Sequence, residues 1–158
     1  MSEPKLHHYE VRTVWKCGPG GPPSKVDGFS RNHHVEIAGK PALGMSADPA
    51  FRGDPARHNP EDLLVASLSA CHMLWYLHLA VMRGLEVHSY EDRAHGVMAE
   101  TPRPGRFLEV VLRPTVTIGR GGDRALAVRL HERAHAECFV ANSVSFPVRH
   151  EPVIVEAE

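Results

Sequence analysis

The sequence has almost no excess of either charge. Its 158 residues carry 18 Lys and Arg against 19 Asp and Glu, which gives a formal net charge of −1. Without surplus positive charge the chain has no broad electrostatic attraction to nucleic acid or to an anionic membrane, so neither is expected as a partner. Internal repeats and low-complexity segments are also missing. The length therefore predicts a single globular domain over residues 1–158.

Export signals and a disulfide framework are lacking too. Residues 1–5 read Met-Ser-Glu-Pro-Lys and have no apolar core of a signal peptide, so we expect a cytoplasmic location. Cys17, Cys71 and Cys138 are the only cysteines, an odd number for structural disulfides. In a reducing compartment two of them are expected to be either redox-active or simply buried.

One stretch organises the rest, because residues 59–83 are predicted to form a single long helix. Asn59 is a suitable N-cap, Pro60 suits the first helical position, and Gly84 is a natural stop. About 24 residues give a rod of roughly 36 Å. Its apolar positions run nearly all the way round, so we expect burial on most sides. Cys71 lies at its middle.

The flanking segments are rich in strand patterns. We predict strands at residues 8–17, 29–37, 85–98 and 107–118, an irregular loop at 45–58, a second helix capped by Asp123, and one or two last strands within 144–155. The segments 85–98 and 107–118 should pair with each other as a hairpin. This order predicts an α+β fold with an N-terminal β-rich part (8–58), the central helix (59–83) and a C-terminal β-α-β part (85–158).

Cys71 and Cys138 each fall on an apolar helix face, which is compatible with two different roles. Free cysteine is often a small core residue. A reactive thiol with a resolving partner is the alternative, but a mid-helix thiol in apolar surroundings needs a positive charge from elsewhere. Arginine is suited to this task because it stays protonated, and a carboxylate would hold it in place. Arg52, Arg57 and Glu61 lie just upstream.

The run NPEDLL at residues 59–64, followed by SACH at 69–72, resembles the N-P-E-x-L-(x)n-A-C motif of the OsmC/Ohr family. The ten-residue spacing from Glu61 to Cys71 is similar, and so is the position of the second cysteine, Cys138. This resemblance implies an OsmC-like fold, with two β-rich halves joined by the central helix in an intertwined homodimer. It also implies thiol-dependent reduction of organic hydroperoxides at two sites on the dimer interface.

The resemblance also implies a role for each site residue. Cys71 takes the peroxidatic role, Cys138 the resolving role, and Glu61 the role of orienting an arginine. Arg52, nine residues before Glu61, is similar in position to the arginine of the OsmC-like branch, while Arg31 is the alternative that the Ohr branch suggests. No cofactor is implied. An external dithiol or a lipoylated protein would return the cysteines to the reduced state.

Helix geometry adds one inference about assembly. Ten residues separate Glu61 from Cys71 by roughly 15 Å along one helix, so the two cannot touch within it. We therefore predict that two long helices pack antiparallel across a dyad and bring Glu61 of one chain close to Cys71 of the other. Two equivalent sites would form.

Other interpretations remain open. His131-Glu132-x-x-His135 matches the H-E-x-x-H motif of zinc hydrolases, for which His150 or Glu151 would be the third ligand. A solvated helix face is the simpler explanation of that match. A non-catalytic member of the family that binds apolar ligands or metal is a third interpretation. Thiol loss on treatment with an organic hydroperoxide would distinguish the enzyme from the binder.

Overall fold

Residues 4–158 are described by the computed structural model, and they divide between residues 63 and 64 into two compact units. The first unit contains an antiparallel sheet of three short strands, β1 (Arg12–Val14), β2 (His33–Glu36) and β3 (Leu43–Met45), in the order β1-β2-β3. The first two lie within the predicted strands but are shorter. β3 was not predicted, since Gly44 at its centre weakens the strand pattern.

Helix α1 (Pro60–Met82) has the caps that its sequence predicts. The Asn59 side chain accepts from the Asp62 amide at 2.8 Å, and the Asp62 carboxylate accepts from the Asn59 amide at 3.4 Å. This reciprocal pair satisfies two amides at the helix start. At the other end Gly84 has φ +67°, and the Leu85 amide donates to the Ala80 carbonyl at 2.9 Å. Glycine adopts this left-handed cap without a Cβ clash.

The expectation that α1 is buried on most sides is wrong for the single chain. Its buried residues form one stripe at four-residue spacing, namely Leu68, His72, Tyr76 and Ala80. Leu74 and Val81, on other faces, are 63% and 80% exposed. A helix that is apolar all round but covered on one side leaves a large apolar surface free.

By length and composition alone, α1 would also be able to cross a membrane. Core helices of globular domains pass the same test. The buried stripe of α1 packs into the two hydrophobic cores of the second unit.

The second unit contains two three-stranded sheets. One has the order β4 (Val87–Asp92), β7 (Pro114–Ile118), β9 (Val153–Glu156), and the other the order β5 (His95–Ala99), β6 (Arg106–Leu112), β8 (Val148–His150). β4 and β7 pair antiparallel, as do β5 and β6, whereas β8 and β9 join their neighbours in parallel.

The predicted hairpin exists, but it is divided between these two sheets. Residues 85–98 form β4 and β5 instead of one strand, and residues 107–118 contribute to β6 and β7. Arg113 and Pro114 mark the break on the return strand. Proline has no amide to donate to a ladder, so a continuous strand is interrupted there.

Helix α2 (Arg124–Glu137) follows, with the predicted cap Asp123 accepting from the Leu126 amide at 2.8 Å. It packs with α1 and the β4-β7-β9 sheet around a core that includes Tyr76, Val116 and Leu130. A second core lies against the β5-β6-β8 sheet, formed by Leu68, Val110, Leu112 and Val148. Both cores belong to the unit that carries Cys71 and Cys138.

Candidate active site

Two of the three cysteines come together in the second unit. Cys71 lies in the middle of α1 and is half-buried, and Cys138 directly follows α2 as its C-cap and is 1% exposed. Cys17 is exposed in the first unit. All three are free thiols. Cys71 and Cys138 therefore both lie in the second unit, one within α1 and the other at the end of α2, and their pairing stays a prediction.

The buried thiol is strongly disfavoured as an anion. Burial, and then hydrogen bonding to Cys71, raises the pKa of the Cys138 thiol to about 11. The backbone amide of Ala141 opposes this by donating to the Cys138 sulfur at 3.4 Å. Cys138 is thus protonated at neutral pH, whereas Cys71 is the one of the pair that solvent can reach. This asymmetry suits an attacking and a resolving thiol.

Arg52 lies in a loop of the first unit whose backbone makes close internal contacts. It ends the short 3₁₀ helix Pro49–Phe51 with φ +65° and ψ 29°, and its amide donates to the Pro49 carbonyl at 3.0 Å. A Cβ on the next residue, Gly53, would lie only 1.6 Å from the Ala47 carbonyl oxygen. A left-handed backbone costs a residue with a Cβ roughly 1–2 kcal/mol. Such strain is found most often at functional sites.

Glu61 and Arg31 border one cavity of the first unit, with a volume of about 410 Å³. Its walls are mainly apolar and include the aromatic rings of Trp15, Phe29 and Phe51, each more than one third exposed. A concave, largely apolar site with a few polar groups is the usual form of a small-molecule pocket.

The two candidate arginines differ in their contacts. Arg31 donates to the carbonyls of Phe29, at 2.5 Å, and Val26, and its guanidinium lies 3.9 Å from the Phe29 ring centroid. Arg52 has no side-chain hydrogen bond or ion pair to any residue in 4–158, and neither arginine forms an ion pair with Glu61 in this part of the chain. The expected carboxylate–arginine pair is therefore absent from the described single chain, and these roles stay predictions.

The first histidine of the H-E-x-x-H match lies in the core and not on the solvent-exposed face of α2. His131 is fully buried, so the expectation of a solvated helix face is wrong for it. Its Nδ1 lies 3.0 Å from Nε2 of His72, also buried. Among residues 4–158 no group of three or more His, Cys, Asp or Glu side chains is arranged to hold a metal ion.

Sequence reasoning missed this histidine cluster, although a signal was available. His72 lies four residues after Leu68 and four before Tyr76, so it falls on the buried stripe of α1. His131 lies four residues after Ala127 on the buried face of α2. Burial lowers the pKa of His72 to about 4 and that of His131 to about 3, so both are neutral at physiological pH.

Comparison with known proteins agrees with this geometry. The family model for OsmC-like protein matches residues 53–152. An OsmC-like protein of unknown function from Vibrio cholerae is 30% identical, with a TM-score of 0.86 over 94% of this chain and all of that one.

Two more distant relatives extend the comparison. An organic hydroperoxide resistance protein OsmC from Legionella pneumophila has the same fold, at 21% identity and a TM-score of 0.67 over 96% of this chain and 98% of that one. The Bacillus subtilis protein YmaD is 21% identical over 87% of each chain. The family match covers well over half of the chain, and the fold agrees along nearly its whole length. The chain therefore belongs to the OsmC/Ohr family of OsmC-like proteins.

Proposed function

We propose that this protein reduces organic hydroperoxides, with Cys71 as the attacking thiolate and Cys138 as the resolving thiol. The observation that carries the proposal is the juxtaposition of a half-buried and a fully buried thiol in an OsmC-like chain. Relatives described as organic hydroperoxide resistance proteins support the reaction class.

The chemistry balances with two thiols and one peroxide. The Cys71 thiolate attacks the terminal peroxide oxygen, the O–O bond breaks, and the alkoxide takes a proton and leaves as an alcohol. Cys71 is now a sulfenic acid. The Cys138 sulfur then attacks the Cys71 sulfur, its proton leaves with the hydroxide as water, and a disulfide forms. An external dithiol or a lipoylated protein reduces this disulfide by exchange.

Arg52 is the arginine that we assign to Cys71 activation. Arg31 is already bound to two carbonyl oxygens and stacked on Phe29, which leaves its guanidinium less free. Arg52 makes no such contacts among the described residues and holds a strained backbone. Glu61 would orient it by an ion pair, which is the strong bidentate kind that arginine forms with a carboxylate.

The aromatic cavity beside Glu61 is the proposed site for the organic group of the peroxide. Trp15, Phe29 and Phe51 supply the apolar surface that an alkyl or aryl group needs.

Assembly as a homodimer would complete two such sites. The exposed apolar face of α1, with Leu74 and Val81, is the surface that a second copy would cover. A reducing cytoplasm would supply the dithiol.

Thiol counting tests the function directly. The reduced protein is treated with tert-butyl hydroperoxide, and free thiols are titrated after denaturation. Wild type should lose two of its three thiols, and Cys17→Ser should lose two of two. Cys71→Ser should lose none, because the sulfenic acid never forms.

Unchanged thiol counts in both the wild type and Cys17→Ser would contradict the peroxidase. They would favour a family member that binds apolar ligands without turnover.

A further inference from the structure

The feature that the proposed chemistry leaves unused is the buried contact between His72 of α1 and His131 of α2. Their ring centroids are 5.3 Å apart, the ring planes differ by 8°, and the Nε2–Nδ1 distance is 3.0 Å. This separation is what two rings give when they lie end to end in a common plane. The nitrogens therefore point at each other in a linear hydrogen bond.

This bond joins the two helices that carry the thiols. His72 directly follows Cys71 on α1, and His131 lies seven residues, or about two turns, before Cys138 on α2. Within residues 4–158 it is the only side-chain hydrogen bond between α1 and α2. Tyr76 stacks on His131 at 4.1 Å and limits sideways movement of its ring.

Packing alone does not account for imidazoles at these positions. Five buried polar atoms around the bond have no partner among the described residues: His72 Nδ1, His131 Nε2, His150 Nδ1 and the hydroxyls of Tyr76 and Tyr90. A buried polar group without a partner destabilises the fold. Leucine at the two histidine positions would remove part of this cost. The hydrogen bond between the two rings is what distinguishes this pair from two apolar residues at the same positions.

We infer that the His72–His131 hydrogen bond positions Cys71 against Cys138, by fixing the register of α1 relative to the end of α2. The two histidines are positioning residues, since they touch neither peroxide nor sulfur in the proposed reaction. A directional bond adds a distance and an angle that the two helices must satisfy, in addition to the packing of their apolar side chains. The inference rests on the proposed pairing of the two cysteines.

The test measures how readily the two cysteines close to a disulfide, without any peroxide. Wild type is equilibrated in oxidised and reduced dithiothreitol at pH 7, and the disulfide fraction is quantified after alkylation. Cys17→Ser serves as the common background. His72→Leu and His131→Leu should each shift the equilibrium at least tenfold toward the dithiol, which is about 30 mV for a two-electron couple.

Conservative variants separate positioning from packing. Gln at position 72 places a hydrogen-bonding atom where Nε2 was, and Asn at 131 does so for Nδ1. His72→Gln and His131→Asn should remain within threefold of wild type. His88→Leu, an exposed histidine of β4 that pairs with Glu86, is the control and should leave the equilibrium unchanged.

The double variant His72→Leu/His131→Leu covers the case in which a single leucine prevents folding. Replacing both hydrogen-bond partners by apolar groups is often nearly neutral for stability. It should melt close to wild type yet keep the tenfold shift. An equilibrium within threefold of wild type in all leucine variants would overturn the inference while leaving the peroxidase intact.

Two further outcomes concern disulfide formation in the wild type. If dithiothreitol closes the disulfide but hydroperoxide does not, the proposed function fails and the positioning role stands. If neither reagent closes it, both are overturned.

Discussion

Arg52 is the single non-glycine residue among 4–158 with a positive φ, and this conformation opposes stability. Arg52→Gly should therefore leave the free energy of unfolding unchanged or raise it by up to about 1 kcal/mol. The same variant should lose most of its activity toward tert-butyl hydroperoxide, because the guanidinium is gone. Urea unfolding and a coupled peroxidase assay measure the two effects.

Arg129→Gly is the matched control for that prediction. Arg129 is exposed within α2, where glycine costs about 1 kcal/mol relative to a good helix former. It should destabilise the protein and keep the activity. Equal stability losses in the two variants would show that the left-handed backbone of Arg52 carries no strain.

The candidate site residues differ in how far the sequence alone can indicate them. Cys71, Cys138 and Glu61 were proposed from their spacing along the chain, which is a local property, and their roles stay predictions. The choice between Arg52 and Arg31 depends on loop conformation and on contacts that only three-dimensional structure displays. The His72–His131 bond joins residues 59 positions apart, and no local pattern predicts such a contact.

Helices and strands also differ in how well the sequence alone predicts them. Both helices were predicted with their N-caps, and α1 also with Gly84 after its end, because capping depends on residues within one turn of the end. The end of α2 was expected at Asn142-Ser143, but the helix stops at Glu137. The strands at 85–98 and 107–118 were predicted as continuous, yet the structure breaks both. The break at Pro114 could be predicted from the sequence, because proline has no amide hydrogen for the strand ladder. The distribution of β4 and β5 to different sheets follows from packing on α1 and α2, and it could not be predicted from the sequence.

The junction between α1 and α2 should make stability depend on pH. His72 and His131 have lowered pKa values in the fold, so the unfolded chain binds protons first as pH falls below 6.5. Stability is then complete above pH 6.5 and decreases toward pH 4, on the order of 3 kcal/mol for His72 alone. The groups around the pair are His135 and His150, Tyr76 and Tyr90, and Glu132 at the surface.

Urea unfolding between pH 7 and 4.5 measures this dependence, above the range where most carboxylates titrate. The double variant His72→Leu/His131→Leu should show a much flatter profile than wild type. A profile that stays as steep in the variant would assign the proton uptake to other groups, His150 first among them, whose pKa is also lowered by burial.

At the scale of the whole molecule, the proposed dimer makes a prediction about complementation. If Glu61 of one chain serves Cys71 of the other, a mixed dimer of Glu61→Gln and Cys71→Ser chains keeps one complete site. Co-expression with two different affinity tags, followed by tandem purification, isolates that heterodimer. It should retain about half of the wild-type rate, because one of two equivalent sites remains.

Each parent homodimer is the control and should be inactive or nearly so. An inactive heterodimer would place Glu61 and Cys71 of one site in the same chain, against the roughly 15 Å that one helix puts between them.

The contact between Gly53 and the Ala47 carbonyl bears on how fast the Arg52 side chain can move. The Gly53 amide also donates to the Asp48 carbonyl at 3.0 Å, so the backbone beside Arg52 is held against the Ala47–Asp48 segment. The guanidinium can change direction by rotation about the bonds of its own side chain without breaking these contacts. Such rotations take picoseconds to nanoseconds, whereas collective loop and domain motions extend to microseconds and beyond. If Arg52 serves Cys71 as proposed, this reorientation would be too fast to limit the rate of turnover.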